Sequence, residues 1–219
     1  MERTPEPELM DEQEQSAAYA AADWSEAHEK VPAHFRERFP EFGAGRVLDL
    51  GCGTADVTIR FARAYPKVMI VGVDGSETML SFGRRAVRDG GLDSRITLEK
   101  RYLPDTAIET RSFDALFSNS LLHHFSDPVL MWSTAARCVK PGAPVMIVDL
   151  VRPADHETVM RLVKEHAAGA PPVLERDFTA SLHAAYTVDE VHQQLAKAGL
   201  PHFNVEQVDV LHLVAWGRA

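Results

Sequence analysis

Two acidic residues lie in and beside a glycine-rich turn near the first strongly apolar segment of the chain. Residues Val47–Thr54 read Val-Leu-Asp-Leu-Gly-Cys-Gly-Thr, so Asp49 precedes the first glycine. Asp56 stands where the fingerprint of dinucleotide-binding proteins has its third glycine. A further acid, Asp74, ends the next apolar segment, a pattern typical of a nucleoside-binding α/β unit. Carboxylates in the turn would repel a pyrophosphate and attract a ligand that carries positive charge.

Five segments of the chain occur in the order and spacing of the class I methyltransferases, and they most resemble the small-molecule branch that includes the quinone C-methyltransferases. They are Leu48–Thr54, Gly72–Ser76, Phe113–Leu116, Ser118–His124 and Lys140–Ala143. The resemblance covers residues 40–219 at the level of the fold and residues 46–150 at the level of motifs. It implies methyl transfer to a small molecule from S-adenosylmethionine, whose sulfonium and ammonium groups suit an acid-lined turn.

The residues expected to bind this cofactor follow the first, second and fourth predicted strands. Asp49 can attract the methionine ammonium, or alternatively only cap the following helix. Asp74 is expected to accept hydrogen bonds from both ribose hydroxyls, and its replacement to leave folding intact because the side chain faces the crevice. Met79 can pack on the adenine face or belong to the core. The full expected set is Asp49, Gly51, Cys52, Gly53, Asp74, Gly75, Met79, Tyr102, Leu103, Asn119 and Ser120.

One segment departs from the family pattern. Relatives commonly carry a Gly-Asp-Ala-like segment whose acid contacts the adenine amino group, whereas residues 100–105 read Lys-Arg-Tyr-Leu-Pro-Asp. Arg101 or Tyr102 stands in place of the aspartate. We therefore expect adenine recognition to depend on backbone groups or on Tyr102.

Two adjacent histidines, His123 and His124, follow the fourth predicted strand and are the candidates for catalysis. Methyl transfer from a sulfonium is an in-line displacement that requires alignment and, for carbon, hydroxyl or protonated-amine acceptors, a base. Either histidine can be that base or a structural residue. We expect His123 to face the acceptor pocket and His124 to be held by backbone groups, while Asn119 holds the methionine moiety.

Four further residues are expected to contact the acceptor. Trp24 and His28 share a helix face with two apolar residues, so they either line a lid over the site or only pack that helix onto the domain. Arg152 could bind an acidic acceptor or form a surface ion pair. Phe178 lies in a stretch, residues 169–185, that is predicted to be irregular because it contains two consecutive prolines.

Alternating apolar strands and amphipathic helices indicate an α/β fold. Together with the resemblance, they predict a Rossmann-like, seven-stranded, mostly parallel sheet with helices on both faces and one antiparallel strand near the C-terminus. Residues 1–14 are predicted to be a disordered acidic tail, residues 15–39 a helical lid and residues 40–219 the methyltransferase domain, with residues 151–186 as an acceptor-side insertion. Ser76 is expected to cap one helix, and Thr187 with Glu190 to form a capping box at another.

Charge and composition narrow the possible functions. Twenty-three basic against 32 acidic residues give a net charge of −9, which disfavours binding of nucleic acid. The chain has only two cysteines and no signal-like or membrane-spanning segment, which predicts a cytoplasmic protein. No metal-ligand spacing occurs, so no metal is expected. The oligomeric state stays open between a monomer and a homodimer. Two alternatives to a methyltransferase stay open: a non-catalytic S-adenosylmethionine-binding regulator and, disfavoured by the missing third glycine, a nicotinamide-dependent reductase.

Overall fold

The computed structural model describes residues 1–7 and 9–219. A seven-stranded sheet forms the centre of the molecule. Its strands are β1 (Ala44–Leu50), β2 (Lys67–Asp74), β3 (Ile96–Lys100), β4 (Ala115–Asn119), β5 (Pro144–Leu150), β6 (Asn204–Gln207) and β7 (His212–Arg218). The strand order is β3-β2-β1-β4-β5-β7-β6. Only β7 runs against its neighbours, β5 and β6. The predicted sheet, with one reversed strand near the C-terminus, is confirmed.

Helices cover both faces of the sheet and one end of it. They are α1 (Gln13–Ala21), α2 (Ser25–His28), α3 (Lys30–Arg38), α4 (Asp56–Ala64), α5 (Glu77–Asp89), α6 (Pro128–Cys138), α7 (His156–His166), α8 (Pro172–Ala184) and α9 (Val188–Lys197). A single 3₁₀ turn spans Leu122–His124. The side chain of Ser76 accepts a hydrogen bond at the start of α5, and Thr187 and Glu190 form the predicted capping box of α9. Within the described residues, no helix has the length and apolar character needed to cross a membrane.

Two predicted segments differ from the structure. Residues 15–39, predicted as one helix, form three short helices instead. Pro32 explains the break before α3, because it has no N–H to donate to the preceding turn and is tolerated only near a helix start. Residues 169–185, predicted to be irregular, contain the helix α8, in which Pro172 occupies the first turn. The proline pair therefore marks where this helix begins.

Three buried clusters stabilise these layers. One face of the sheet packs on α6 and α9 and includes Leu116 and Trp132. The opposite face packs on α3 and α4, where Phe61 stacks on Phe117 with ring centroids 4.3 Å apart. The third cluster joins α7 to α8 and includes Leu182. Helices α7 and α8 therefore share a small hydrophobic core that reaches the sheet at Leu150, the last residue of β5.

The segment that precedes α1 runs across the carboxyl ends of the strands. Arg3 donates hydrogen bonds to the carbonyl oxygens of His123, Phe125 and Ala184. Farther along, Asp11 accepts a hydrogen bond from Ser76 at the start of α5. The structure thus places the segment that was predicted to be a disordered tail against the domain, with polar contacts at both of its ends.

Candidate functional site

The carboxyl ends of the parallel strands open onto one cavity of about 1060 Å³. Ligands of open α/β sheets bind at this edge, where the strand order reverses. All residues predicted to bind the cofactor line the cavity: Asp49, Gly51, Cys52, Gly53, Asp74, Gly75, Met79, Tyr102, Leu103, Asn119 and Ser120. Both predicted catalytic histidines and three of the four predicted acceptor residues line it as well: His123, His124, Trp24, His28 and Phe178.

Asp49 ends β1 under the glycine turn and is 2% exposed. Its Oδ2 accepts a hydrogen bond of 2.6 Å from the hydroxyl of Thr58 in α4. Burial raises the pKa of Asp49 to about 7, and the negative charge of Asp74 adds to this effect. The alternative role of Asp49 as a helix cap is wrong, because Ala55 is the N-cap of α4 and no side chain caps it.

The glycine turn requires its glycines. Gly51 has a φ of +73°, and an added Cβ would lie 2.7 Å from the side chain of Leu121. At Gly75 a Cβ would meet the side chain of Leu9 at 2.6 Å and that of Tyr102 at 3.3 Å. Neighbouring side chains therefore leave no room for a side chain at these two positions.

Asp74 ends β2 and holds the glycine turn in place. Its Oδ2 accepts a hydrogen bond from the amide of Gly53, and its Oδ1 accepts one from the amide of Ser76, both of 2.8 Å. Burial raises the pKa of this carboxyl, although the amide hydrogen bonds oppose the effect. Because the carboxylate satisfies two backbone donors, we now expect replacement of Asp74 to lower stability, contrary to the expectation from the sequence.

The segment after β3 presents an aromatic ring, and its arginine is engaged elsewhere. The guanidinium of Arg101 donates to Glu99 at 3.0 Å and to Asp105 at 3.5 Å. The side chain of Tyr102 lines the cavity and is 55% exposed. Met79 is buried on the opposite side of the glycine turn, near Gly53.

The two histidines lie in the 3₁₀ turn after β4; both approach Glu6, and each has one further partner of its own. Nδ1 of His123 lies 2.5 Å from Oδ1 of Asp149, and Nε2 lies 3.2 Å from Oε1 of Glu6. Nδ1 of His124 lies 3.1 Å from the carbonyl oxygen of Pro7 and 3.5 Å from Oε1 of Glu6. Asp149 is fixed in turn by the amides of Leu122 and Leu150, which donate to its two oxygens.

Neighbouring charges move the pKa values of these histidines in opposite directions. Burial opposes the charged form of His123, but the carboxylates of Asp149 and Glu6 outweigh it and raise the pKa of this ring. Burial and the adjacent His123 lower the pKa of His124 to about 3. Burial raises the pKa of Glu6 despite its contact with His123. The pKa of His123 therefore lies above that of the adjacent His124.

The acceptor side of the cavity combines aromatic and charged groups. Tyr19 stacks on Trp24 with ring centroids 4.8 Å apart, and Trp24 stacks on His28 at 5.9 Å. Nδ1 of His28 lies 2.8 Å from Oδ2 of Asp56. Burial would raise the pKa of Asp56, but His28 and Arg60 outweigh it and lower this pKa to about 2. Asp56 is therefore ionised, and it faces the same cavity as Asp49 and Asp74.

Arg152 lies outside the cavity lining. Its guanidinium donates to Glu190 at 2.7 Å and to the carbonyl oxygen of Ala185 at 3.0 Å, and its side chain is 7% exposed. The prediction that Arg152 lies at the acceptor site is therefore wrong. The alternative of an ion pair is correct, although the Arg152 side chain is buried and not at the surface as expected. Conversely, the sequence patterns did not single out Glu6 or Tyr19, which tertiary contacts alone bring to the site.

Comparisons with known proteins agree with this geometry. Residues 47–142 match the family model described as methyltransferase domain. The demethylmenaquinone methyltransferase of Porphyromonas gingivalis is 36% identical over 113 residues, which are 51% of this chain and 46% of that protein. The 27-O-demethylrifamycin SV methyltransferase of Amycolatopsis mediterranei is 26% identical over 202 residues, which are 91% of this chain and 70% of that protein.

A solved structure shares the whole fold. The SAM-dependent methyltransferase from Aquifex aeolicus has a TM-score of 0.69 at 18% identity, covering 94% of this chain and 98% of its own. The match to the quinone-type relatives, by contrast, spans about half of their length.

Proposed function

We propose that this chain, a member of the class I methyltransferases by sequence motifs and fold, transfers a methyl group from S-adenosylmethionine to a small-molecule acceptor. The observation that carries the proposal is the cluster of Asp49, Asp56 and Asp74 around one glycine turn in a single cavity. Its electrostatics suit a ligand with a sulfonium and an ammonium group.

The residues present fit this cofactor. In our proposal Asp74 accepts hydrogen bonds from the ribose hydroxyls and Asp49 faces the methionine ammonium. Gly51 and Gly75 line the cavity and have no side chain, so their backbone is available to the ligand. Tyr102 and Met79 offer apolar surface to the adenine. When bound, the cofactor supplies an electrophilic methyl group and a good leaving group.

The remaining part of the cavity has room for an acceptor. The volume of about 1060 Å³ is at the upper end of the roughly 300–1000 Å³ common for small-molecule sites. The acceptor side is formed by Trp24, His28 and Phe178 together with the two histidines of the 3₁₀ turn. This room supports a catalytic function over a regulator that only binds the cofactor.

The residues of this chain would align the acceptor and exclude water. In our proposal His123 and His124 face the accepting atom. Because both ring nitrogens of His123 lie against carboxylates, a role for His123 as general base requires Glu6 to move away. Asn119, at the end of β4, is proposed to hold the methionine moiety.

A binding and transfer experiment tests the proposal. Calorimetry with S-adenosylmethionine, its demethylated product and NAD should show binding of the first two only. A metabolite extract incubated with cofactor that carries a deuterated methyl group should then yield labelled products by mass spectrometry. NAD binding of comparable strength would favour the reductase, and cofactor binding without any labelled product would favour the regulator.

The proposal also covers location and partners. The two cysteines of the chain are both free, which suits the reducing environment of the cytoplasm. The net charge of −9 argues against nucleic acid as the methylated substrate. We propose a monomer or a homodimer that acts on a small molecule, as the named relatives in menaquinone and rifamycin synthesis do.

A further inference from the structure

We propose that Glu6, His123 and His124 form a binding site for a divalent transition metal ion such as zinc. The three residues each offer one ligand atom, and these atoms all lie within 4.8 Å of one another. The set combines two imidazoles with one carboxylate, which is a common ligand set of catalytic zinc sites. All three residues line the cavity, so a fourth position can face an acceptor.

The distances between the ligand atoms agree with one small ion. Atoms that bind a tetrahedral ion at about 2.0–2.2 Å lie about 3.3–3.6 Å apart. Oε1 of Glu6 lies 3.2 Å from Nε2 of His123 and 3.5 Å from Nδ1 of His124. These two separations suit one small ion, and the third, between the two histidine nitrogens, is no more than 4.8 Å.

A second carboxylate orients one of the proposed ligands. Oδ1 of Asp149 lies 2.5 Å from Nδ1 of His123, and backbone amides hold both oxygens of this carboxylate. With the proton of His123 on Nδ1, the lone pair of Nε2 points toward Glu6. Metal-binding histidines usually have such a carboxylate partner on the other ring nitrogen, which fixes the tautomer and the ring orientation.

Glu6 supplies an independent indication of a missing ligand. Its side chain is 7% exposed, and Oε1 is buried and accepts no well-formed hydrogen bond among the described residues, although Nε2 of His123 lies 3.2 Å away. Oε2, in contrast, accepts a hydrogen bond from Ser181. Buried carboxylate oxygens are rarely left without a donor or a cation. An ion at the proposed position would satisfy this oxygen.

Binding requires one tautomer of His124. In the contact of 3.1 Å with the carbonyl oxygen of Pro7, Nδ1 of His124 is the hydrogen-bond donor. Binding of an ion at Nδ1 therefore requires the loss of this hydrogen bond and a proton on Nε2 instead. The metal site itself does not depend on the proposed function.

The role of the ion in methyl transfer does depend on the proposed function. At the open position the ion would bind an oxygen or sulfur of the acceptor and stabilise its deprotonated, nucleophilic form.

Metal binding by the purified full chain tests the site. After dialysis against a chelator, Zn²⁺ titration should give one ion per chain, and Co²⁺ should give the visible absorption of a tetrahedral site. Glu6→Gln and His123→Gln should weaken Zn²⁺ binding by at least tenfold. Asp149→Asn should weaken it by about 10- to 100-fold, as expected for a residue that orients a ligand.

The exposed pair His156 and His183, whose facing nitrogens lie 3.4 Å apart, provides the matched control. His156→Gln should leave the stoichiometry and the affinity unchanged. The proposal is overturned if the wild type retains no ion, which would mean that His123 is only ion-paired with Glu6. It is also overturned if His156→Gln abolishes binding while Glu6→Gln retains it. Cofactor calorimetry on the same samples tests the methyltransferase proposal separately.

Discussion

Replacing Asp74 with alanine should lower both stability and cofactor affinity, and the structure allows the two effects to be separated. The side chain accepts hydrogen bonds from the amides of Gly53 and Ser76. Each buried donor that loses its acceptor costs about 1–3 kcal/mol. Because the cavity admits water to this edge, we expect the lower part of the summed range, about 2–4 kcal/mol of unfolding free energy.

For a chain of 219 residues this loss corresponds to a decrease of about 4–16 °C in Tm. The proposed ribose contact adds a loss of about 1–3 kcal/mol in binding, which is roughly a 5- to 150-fold weaker Kd. Asp74→Asn keeps the shape and one acceptor oxygen, so both losses should be smaller. Glu77→Ala, an exposed acid on the next helix that is paired with Arg84, should change neither quantity.

Differential scanning calorimetry of the ligand-free protein and titration calorimetry with S-adenosylmethionine measure the two effects. The variant must be titrated well below its own Tm, so that unfolding does not reduce the apparent affinity. A fall in Tm with an unchanged Kd would refute the ribose role and leave Asp74 as a residue that only holds the glycine turn.

Three further predictions follow from burial and hydrogen bonding. The pKa of Asp49 is raised to about 7, against about 3.9 in an unfolded chain. The folded state therefore binds an extra proton between these values, so stability should fall as pH rises through this window and S-adenosylmethionine affinity should rise. In Asp49→Asn, stability and cofactor affinity should each change less with pH than in the wild type between about pH 5 and about pH 8. An equal pH dependence in the two proteins would contradict the raised pKa of Asp49. Arg152→Met should lower Tm because Glu190 loses its partner, and it should not alter cofactor affinity. A changed affinity would show that Arg152 contributes to the site. Arg3→Ala removes the hydrogen bonds to three carbonyl oxygens. Limited proteolysis should therefore cut the segment before α1 faster in this variant than in Arg176→Ala, a control at an exposed residue. Equal rates would contradict the role of Arg3 in holding this segment against the domain.

Local sequence signals were sufficient to predict most of the fold. The apolar strands, the glycine turn and the capping box at Thr187 each depend on residues close together in sequence, so the pattern and the structure agree. Two local signals were misinterpreted. Pro32 interrupts a long amphipathic pattern, and Pro172 starts a helix in a stretch that looked irregular. In both cases proline marks a helix start, a role that depends on its position within the element.

The candidate site was predicted only in part, because half of it depends on distant contacts. The cofactor residues follow strand ends, and the topology of a parallel sheet brings such ends together. Glu6 lies in an acidic, proline-containing stretch whose composition resembles disordered segments. Its burial against His123 and Ser181 depends on the fold of residues more than a hundred positions away, which no local pattern contains.

The core shared by α7 and α8 has a consequence for how this protein can diversify. These helices share a buried cluster that includes Leu162 and Leu182 and that reaches the sheet at Leu150, the last residue of β5. Phe178, on α8, lines the acceptor side of the cavity, while no residue of the glycine turn belongs to this cluster. Substitutions in distant, separately packed regions tend to act independently. Directed evolution confined to α7 and α8 should therefore change which acceptors enter the cavity while leaving the glycine turn intact.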